Sequence, residues 1–507
     1  MQSYYIEKAA QNEPIIHEKI VNAVRYGRTV EDFTQWFQYR FEESQTPGAV
    51  KAGDSFCIDF GNHYTGYLSF RMDMAGQYPD APVKVRIKLA ESVYELGRDF
   101  ETYHGVLSSS WLQEEVVSID EPGDVKMPRR YAFRYVKCTV EAMGNGYPVK
   151  FSDFQIRAVT SADTSKLQIV TYDPELQKIY AVGCHTLENC MQQVFEDGPK
   201  RDRRLWIGDL RLQALTGYYT LQSVDVAKRC MYLFAAYTKP GCRVPRDIFQ
   251  NSKDIYCGGG WLADYALMFP ICLCDYYEYT ADEEMVNDLF DIADEQIRIA
   301  YGDTEDGVVK ELEGWWAHID WCEGLQKVTS VQGVLLYALD KMLCLCQNTG
   351  RTEKIEEYTQ YAEALRKGAR EKLYDSTSGY FVNAYDRGQL SVHSQVWMIL
   401  GGVVKGEKAQ DLLHRILKDD SAKPAVSPYM HHYVMEALIL AGLKDEALAY
   451  LKGYWGEMVR CGADTYWEVF VPGDFSVTPY ADPVINSFCH AWSCSASYFI
   501  RKYWADK

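Results

Sequence analysis

Asp197-Gly198-Pro199-Lys200-Arg201-Asp202-Arg203-Arg204-Leu205-Trp206-Ile207-Gly208-Asp209 interrupts a chain whose pattern is helical on both sides. Its three carboxylates, interleaved with four basic side chains, can hold one another ionised, orient a hydroxyl-bearing ligand and leave one acid free to move a proton. A charged run between helices also occurs as a plain solvated turn. Gly-Pro at the start and Trp-Ile-Gly-Asp at the end give this run a shape that a solvated face does not require, so it reads as a site.

Downstream, from about Pro174, apolar residues recur at three and four positions, as in Leu176, Ile179 and Tyr180, in Val331, Leu335, Leu339 and Leu343, and in Val434 and Leu438. Roughly eleven or twelve helices are expected between 174 and 505. An even set of helical hairpins can close into a toroid with its loops meeting at one end; an open solenoid is the alternative. Upstream, Phe56–Phe60, Tyr67–Met72, Val83–Leu89 and Tyr131–Val140 alternate apolar with polar and are separated by Gly, Pro and Asp clusters, which suits a β-sandwich. Residues 28–44 fit either a short helix or a lead-in strand. The expected division is a sheet domain with its lead-in over 1–165 and a helical domain over 166–507.

The 507 residues carry a net charge of -18, which repels nucleic acid and anionic membranes and leaves a neutral small molecule as the better partner. No basic start followed by an apolar stretch opens the chain, and no run of about 18 apolar residues stands out, so a soluble protein without an export signal is expected. Fifteen cysteines, an odd number scattered through helical patterns, argue against a disulfide framework and for the cytoplasm. No spacing calls for zinc or calcium, and Gly258-Gly259-Gly260 lacks the Gly-Lys-Ser/Thr of a phosphate loop, so neither metal nor cofactor is expected. A homo-oligomer is compatible with the sequence.

The second informative stretch, Gly462 to Asp474, holds Glu468 behind Trp467 and close to Phe470. A carboxylate among aromatic rings is partly desolvated and more basic, as a general base requires, whereas a structural Glu usually has a basic neighbour in sequence.

Together the two stretches resemble glycoside hydrolase family 78, the inverting α-L-rhamnosidases. Asp197, Pro199, Arg201, Arg203, Trp206, Gly208 and Asp209 fall into step with the family's first motif, and Asp464-Thr465-Tyr466-Trp467-Glu468 with its second, about 260 residues later. Asp59-Phe60-Gly61-Asn62, Ala90-Glu91 and Phe133-Arg134-Tyr135-Val136 resemble the sandwich that precedes the catalytic domain. The resemblance implies an N-terminal β-sandwich followed by an (α/α)6 barrel, acting on a carbohydrate with no metal. It implies Asp202 as general acid and Glu468 as general base, with Asp197, Arg201, Trp206, Asp209, Trp261, Asp264, Asp320, Trp321, Trp467 and His490 lining or supporting the sugar.

Departures accompany the match. The family's acid is usually Glu, one methylene longer than Asp202, and the family's Cys-Pro-Gln is Gly-Pro-Lys here. With the chain ending at Lys507, the C-terminal β domain common in the family is expected to be absent. Asp202 can hold a proton only if Lys200, Arg201, Arg203 and Arg204 turn away, and Asp197 and Asp209 are their expected partners. The rivals are a hydrolase of the same architecture for another deoxy-sugar or uronide and a non-catalytic carbohydrate binder. A lyase is hinted at only by His431-His432.

Overall fold

Buried and outward residues alternate over the first half of Val83–Ala90, where Val83, Val85 and Ile87 are wholly buried while Lys84 and Arg86 face outward, and from Ile87 on every residue is buried. A computed structural model describes residues 2–77, 80–250, 255–312, 314–385 and 388–505. Nine strands form one antiparallel hydrogen-bonded sheet: β1 His17–Asn22, β2 Arg25–Glu31, β3 Tyr39–Ser44, β4 Ser55–Met74, β5 Val83–Ala90, β6 Glu114–Ile119, β7 Gly123–Lys126, β8 Tyr131–Ala142 and β9 Val149–Thr160. The main order is β1-β9-β4-β8-β5-β6, with β2 and β7 on β4 and β3 on β2.

Two strands expected as separate, around 56–60 and 67–72, are one strand, β4. Its register against β8 shifts between Asp59 and Tyr64, where Gly61 takes φ +84°, a conformation open to glycine at little cost. The first half of β4 pairs with β2 and β8, and the second with β9 and β7. The undecided stretch 28–44 lies mainly in β2 and β3, and its aromatic turn leaves the sheet: Trp36 and Phe37 pack on Trp467, Phe470, Phe475 and Phe488.

From Pro174, with Asp173 capping its helix through Glu175 and Leu176 N–H, the described residues form twelve α-helices: Pro174–Cys190, Ile207–Tyr219, Val224–Tyr237, Ala263–Thr280, Glu283–Gly302, Val328–Thr349, Thr352–Gly368, Val392–Leu400, Glu407–Ile416, Pro428–Leu440, Lys444–Arg460 and Ala496–Phe499. From Ala263–Thr280 on they alternate in character. Ala263–Thr280, like Ile207–Tyr219 before it, is buried over most of its length, whereas Glu283–Gly302 buries one stripe, with Met285, Val286, Leu289, Phe290, Ala293 and Ile297 at helical spacing. The region is therefore sheet-rich first and helical after. Val328–Thr349 is, by length and mean composition, long and apolar enough to cross a membrane, although Asp340 and Lys341 interrupt its apolar residues, and 72% of its most apolar window is buried among its neighbours.

The lead-in grouped with the sheet divides differently. A first helix, Gln2–Gln11, packs Tyr5 and Ala9 into the helical core, where Arg229 donates to the Ala9 carbonyl at 2.6 Å. Charges tie the two regions elsewhere. Arg134 of β8 donates to Asp59 at 2.8 and 3.1 Å and to Asp464 of the helical region at 3.2 Å.

Burial alone would push the Asp59 carboxyl up, but Arg134 and the Gly61 N–H hold it below the usual range. Because its folded pKa is depressed, Asp59 stabilises the fold above about pH 4, and that contribution disappears as pH falls through the folded value. Asp59→Ala should cost about 3 kcal/mol at pH 7 by urea unfolding, the low end for a broken buried pair because Arg134 keeps Asp464. The gap between variant and wild type should narrow in acid, and equal midpoints at pH 7 would contradict the assignment.

Candidate functional site

The run 197–209 folds into a closed turn. Asp197 N donates to the Arg204 carbonyl at 2.9 Å, and Arg204 N donates back to Asp197 Oδ1 at 3.0 Å. Between them Asp202 and Arg203 adopt φ +58° and +52°, a left-handed pair that side chains other than glycine enter at a cost. This turn leaves the Asp202 carboxylate 27% exposed while Asp197 and Asp209 are buried. Strand Arg204–Trp206 pairs with Asp247–Gln250 and runs directly into helix Ile207–Tyr219, which carries Asp209 in its first turn. Gly208 permits this packing: a Cβ there would lie 2.3 Å from the Tyr265 ring.

The basic neighbours do turn away from Asp202, but not towards Asp197 and Asp209. Lys200 donates to Glu95 at 2.7 Å, Arg203 to the Arg130 carbonyl at 3.0 Å and Arg204 to Asp247 at 2.8 Å. Arg201 is the exception. Its Nη2 donates to Glu468 Oε2, its Nη1 lies 3.4 Å from Asp202 Oδ1, and its Nε donates to the Ile485 carbonyl at 3.2 Å. One guanidinium thus stands between the carboxylates of the two motifs, placing their nearest oxygens no more than about 8 Å apart.

Glu468 is buried, and its other donors are the Tyr480 hydroxyl on Oε1 and the Ser487 N–H on Oε2 at 3.2 Å. The expected raised basicity is reversed. Burial acts upward, but Arg201, His490 and Tyr480 bring the Glu468 carboxyl down to about 2. The basic partner absent from the local sequence arrives from 267 positions away. Three donors leave a carboxylate with room for one more hydrogen bond. Asp197 behaves oppositely: burial and the charges of Asp202 and Asp209 push its carboxyl well above the usual range.

The remaining candidates separate by how completely their polar atoms are used. Asp320 accepts from His393 Nε2, from the N–H groups of Trp321, Val426 and Ser427, and from the Ser427 hydroxyl, five contacts between 2.5 and 2.9 Å. Asp264 accepts from the N–H groups of His318 and Ile319 at 2.9 and 2.8 Å. Asp320, expected to line or support the sugar, has no acceptor capacity left and pins the loop that carries Trp321; Asp264 braces the same loop. Trp467 packs away from solvent. Glu468 faces the site, and the adjacent indole is buried against Trp36, Phe37, Phe470 and Phe488. Trp261 carries the Arg243 guanidinium 4.1 Å above its ring.

Asp209 Oδ1, both ring nitrogens of His490 and Trp321 Nε1 are buried without a hydrogen-bond partner, although Asp209 Oδ1 and His490 Nε2 lie 3.2 Å apart. His318 Nε2, absent from the sequence reading, belongs with them. Its ring stacks on Trp492 at 5.5 Å and meets Trp321 edge-on at 4.8 Å, and burial with the Lys327 charge pushes its pKa down to about 3, so it is neutral. Buried polar atoms without partners are costly, and a hydroxyl-rich ligand would satisfy these. Trp206 meets Tyr265, which in turn meets His318. Tyr480 was also missed; nothing local in the sequence marks it. Among the described residues no group of three or more His, Cys, Asp or Glu could hold a metal ion.

Gly208→Ala should lower stability by about 1–2 kcal/mol in thermal unfolding, because crowding the buried Tyr265 ring outweighs the gain in helix propensity. A variant as stable as the parent would show that the ring yields freely.

Two family models match the chain: the glycosyl hydrolase family 78 alpha-rhamnosidase N-terminal domain over residues 21–158 and the bacterial alpha-L-rhamnosidase 6 hairpin glycosidase domain over residues 164–503. A search of curated proteins finds no match. Among solved structures, a rhamnosidase from Klebsiella oxytoca with rhamnose bound is 37% identical, with a TM-score of 0.95 over 99% of this chain and 98% of that one. A family 78 rhamnosidase of Bacillus sp. GL1 matches at 20% identity and TM-score 0.76 over 92% of this chain and 50% of that one. An alpha-L-rhamnosidase from Dictyoglumus thermophilum matches at 17% identity and TM-score 0.70 over 96% and 51%. These last two share the fold alone. With the hairpin-glycosidase model spanning most of its length, the chain belongs to glycoside hydrolase family 78, the α-L-rhamnosidases.

Proposed function

We propose that this α-L-rhamnosidase releases terminal rhamnose with inversion, using Asp202 as general acid and Glu468 as general base. The observation that carries the assignment is the Arg201 guanidinium between the two carboxylates, whose spacing bound of about 8 Å admits the ~6.5–9.5 Å of an inverting pair. Glu468, ionised and with one acceptor position left, takes a proton from the attacking water. Asp202, presented on the strained turn, protonates the departing oxygen, and Asp197, its carboxyl pushed well up by burial and by the charges of Asp202 and Asp209, stands beside it. Asp209, His490, His318 and Trp321 offer polar atoms to the sugar hydroxyls, and Trp206 and Trp321 offer apolar faces to the 6-deoxy methyl. The rhamnose bound by the Klebsiella oxytoca protein supports this substrate class.

The alternation of wholly buried and one-face-buried helices supports an (α/α)6 barrel over 166–507, and the two pairing halves of β4 support a β-sandwich within 1–165. All fifteen cysteines are free thiols, in keeping with a cytoplasmic enzyme.

Asp202→Asn and Glu468→Gln should each lose about 10²–10⁴-fold in kcat on an aryl α-L-rhamnoside with the fold intact. Proton NMR of the first-formed product should show the β anomer. If Asp202→Asn turned over normally while Asp197→Asn did not, the acid would be Asp197. Tyr480→Phe removes a donor to Glu468 and so raises its carboxyl from about 2; the acid limb of kcat/KM should move to higher pH. An unmoved limb would detach Tyr480 from the base.

A further inference from the structure

Glu91 and Glu95 are buried acids of the sheet region that the reaction does not use. Glu91 directly follows β5, and Ser92 caps the short helix Val93–Gly97 in a capping box with Glu95. Glu91 Oε1 lies 3.1 Å from His63 Nε2, while Oε2 accepts the Phe488 N–H at 2.7 Å and lies 3.2 Å from Lys200 Nζ. Lys200 Nζ also donates to Glu95 Oε1 at 2.7 Å and to the Asn486 carbonyl at 2.5 Å.

The residue between those two anchors is Ser487. Its N–H donates to Glu468 Oε2 at 3.2 Å, and its carbonyl accepts from Glu468 N at 3.0 Å. Both neighbours of the residue that brackets the base are therefore fastened to the sheet region, Phe488 by Glu91 directly and Asn486 through Lys200. Lys200 is also the residue before Arg201, so one buried cluster reaches both motifs.

We propose that Glu91 is a positioning residue for the catalytic base: a side chain of the sheet region that never meets the sugar but sets where the Glu468 carboxylate stands. The alternative that the cluster merely glues two regions together predicts lower stability with unchanged chemistry in the folded protein. A positioning role predicts loss of turnover, because displacement of a reacting group by about 1 Å costs on the order of 10²-fold.

The inference rests on Glu468 as base, so the test carries Glu468→Gln as a control on an aryl α-L-rhamnoside. Glu91→Ala should lower kcat at least about tenfold with KM within about threefold, the sign of a contact felt in the transition state. Glu91→Gln keeps a carbonyl for the Phe488 N–H and should return kcat to within about threefold of wild type. Should Glu91→Ala not fold, Glu91→Asp, which withdraws the oxygens by one methylene, replaces it with the same expectation. Unchanged kcat in the folded Ala or Asp variant overturns the proposal, as does a Gln variant no better than Ala. Turnover retained in Glu468→Gln refutes the base assignment itself.

Discussion

A buried guanidinium pinned by charge from two distant motifs is the constraint on which this site is built. Arg201 lies in the turn that presents Asp202, and its Nη2 grips Glu468, so neither carboxylate can drift without disturbing the other. Burying such a pair is expensive, and further contacts offset the cost: Arg201 also donates to the Ile485 carbonyl and lies 4.4 Å from the centre of the Tyr480 ring. Tyr480 completes the arrangement by donating to Glu468. The result is a carboxylate whose pKa is brought down to about 2, with its geometry set before a substrate arrives.

Around that constraint, saturated and unsaturated polar groups have separate tasks. Asp320 and Asp264 are buried acids whose partners are mostly backbone N–H groups of the loop at 318–321, of Val426 and of Ser427. They hold that loop, which carries His318 and Trp321, in one shape. His490, His318 and Trp321 have buried polar atoms with no protein partner, and Asp209 lies 3.2 Å from His490 beside them, the pattern of a surface that can receive a ligand rather than of a finished core.

The sheet region belongs to this machinery. Its turn at Trp36 and Phe37 covers the back of Trp467, Arg134 reaches Asp464, and Glu91 with Glu95 receives Lys200. The helical region in turn recruits the first helix of the chain through Tyr5 and Ala9. Each link joins residues far apart in sequence, and each buries charge or aromatic surface that would be exposed if either region stood alone.

Periodicity in the sequence determined that strands precede helices, because alternation at two and recurrence at 3.6 follow from which side chains must leave water. Local features also marked the run 197–209 and Glu468, whereas the choice of Asp202 among the three carboxylates of that run came from the family resemblance. Local pattern did not determine what each acid touches. It favoured a basic Glu468, which a guanidinium 267 positions away reversed, and it was silent on the rings packed against Trp467 and the donors that fill Asp320. His318, Tyr480 and the reach of Glu91 to the base became visible only in three dimensions. A carboxylate's protonation and a ring's exposure depend on the charges and surfaces packed against them, and tertiary folding alone decides which those are.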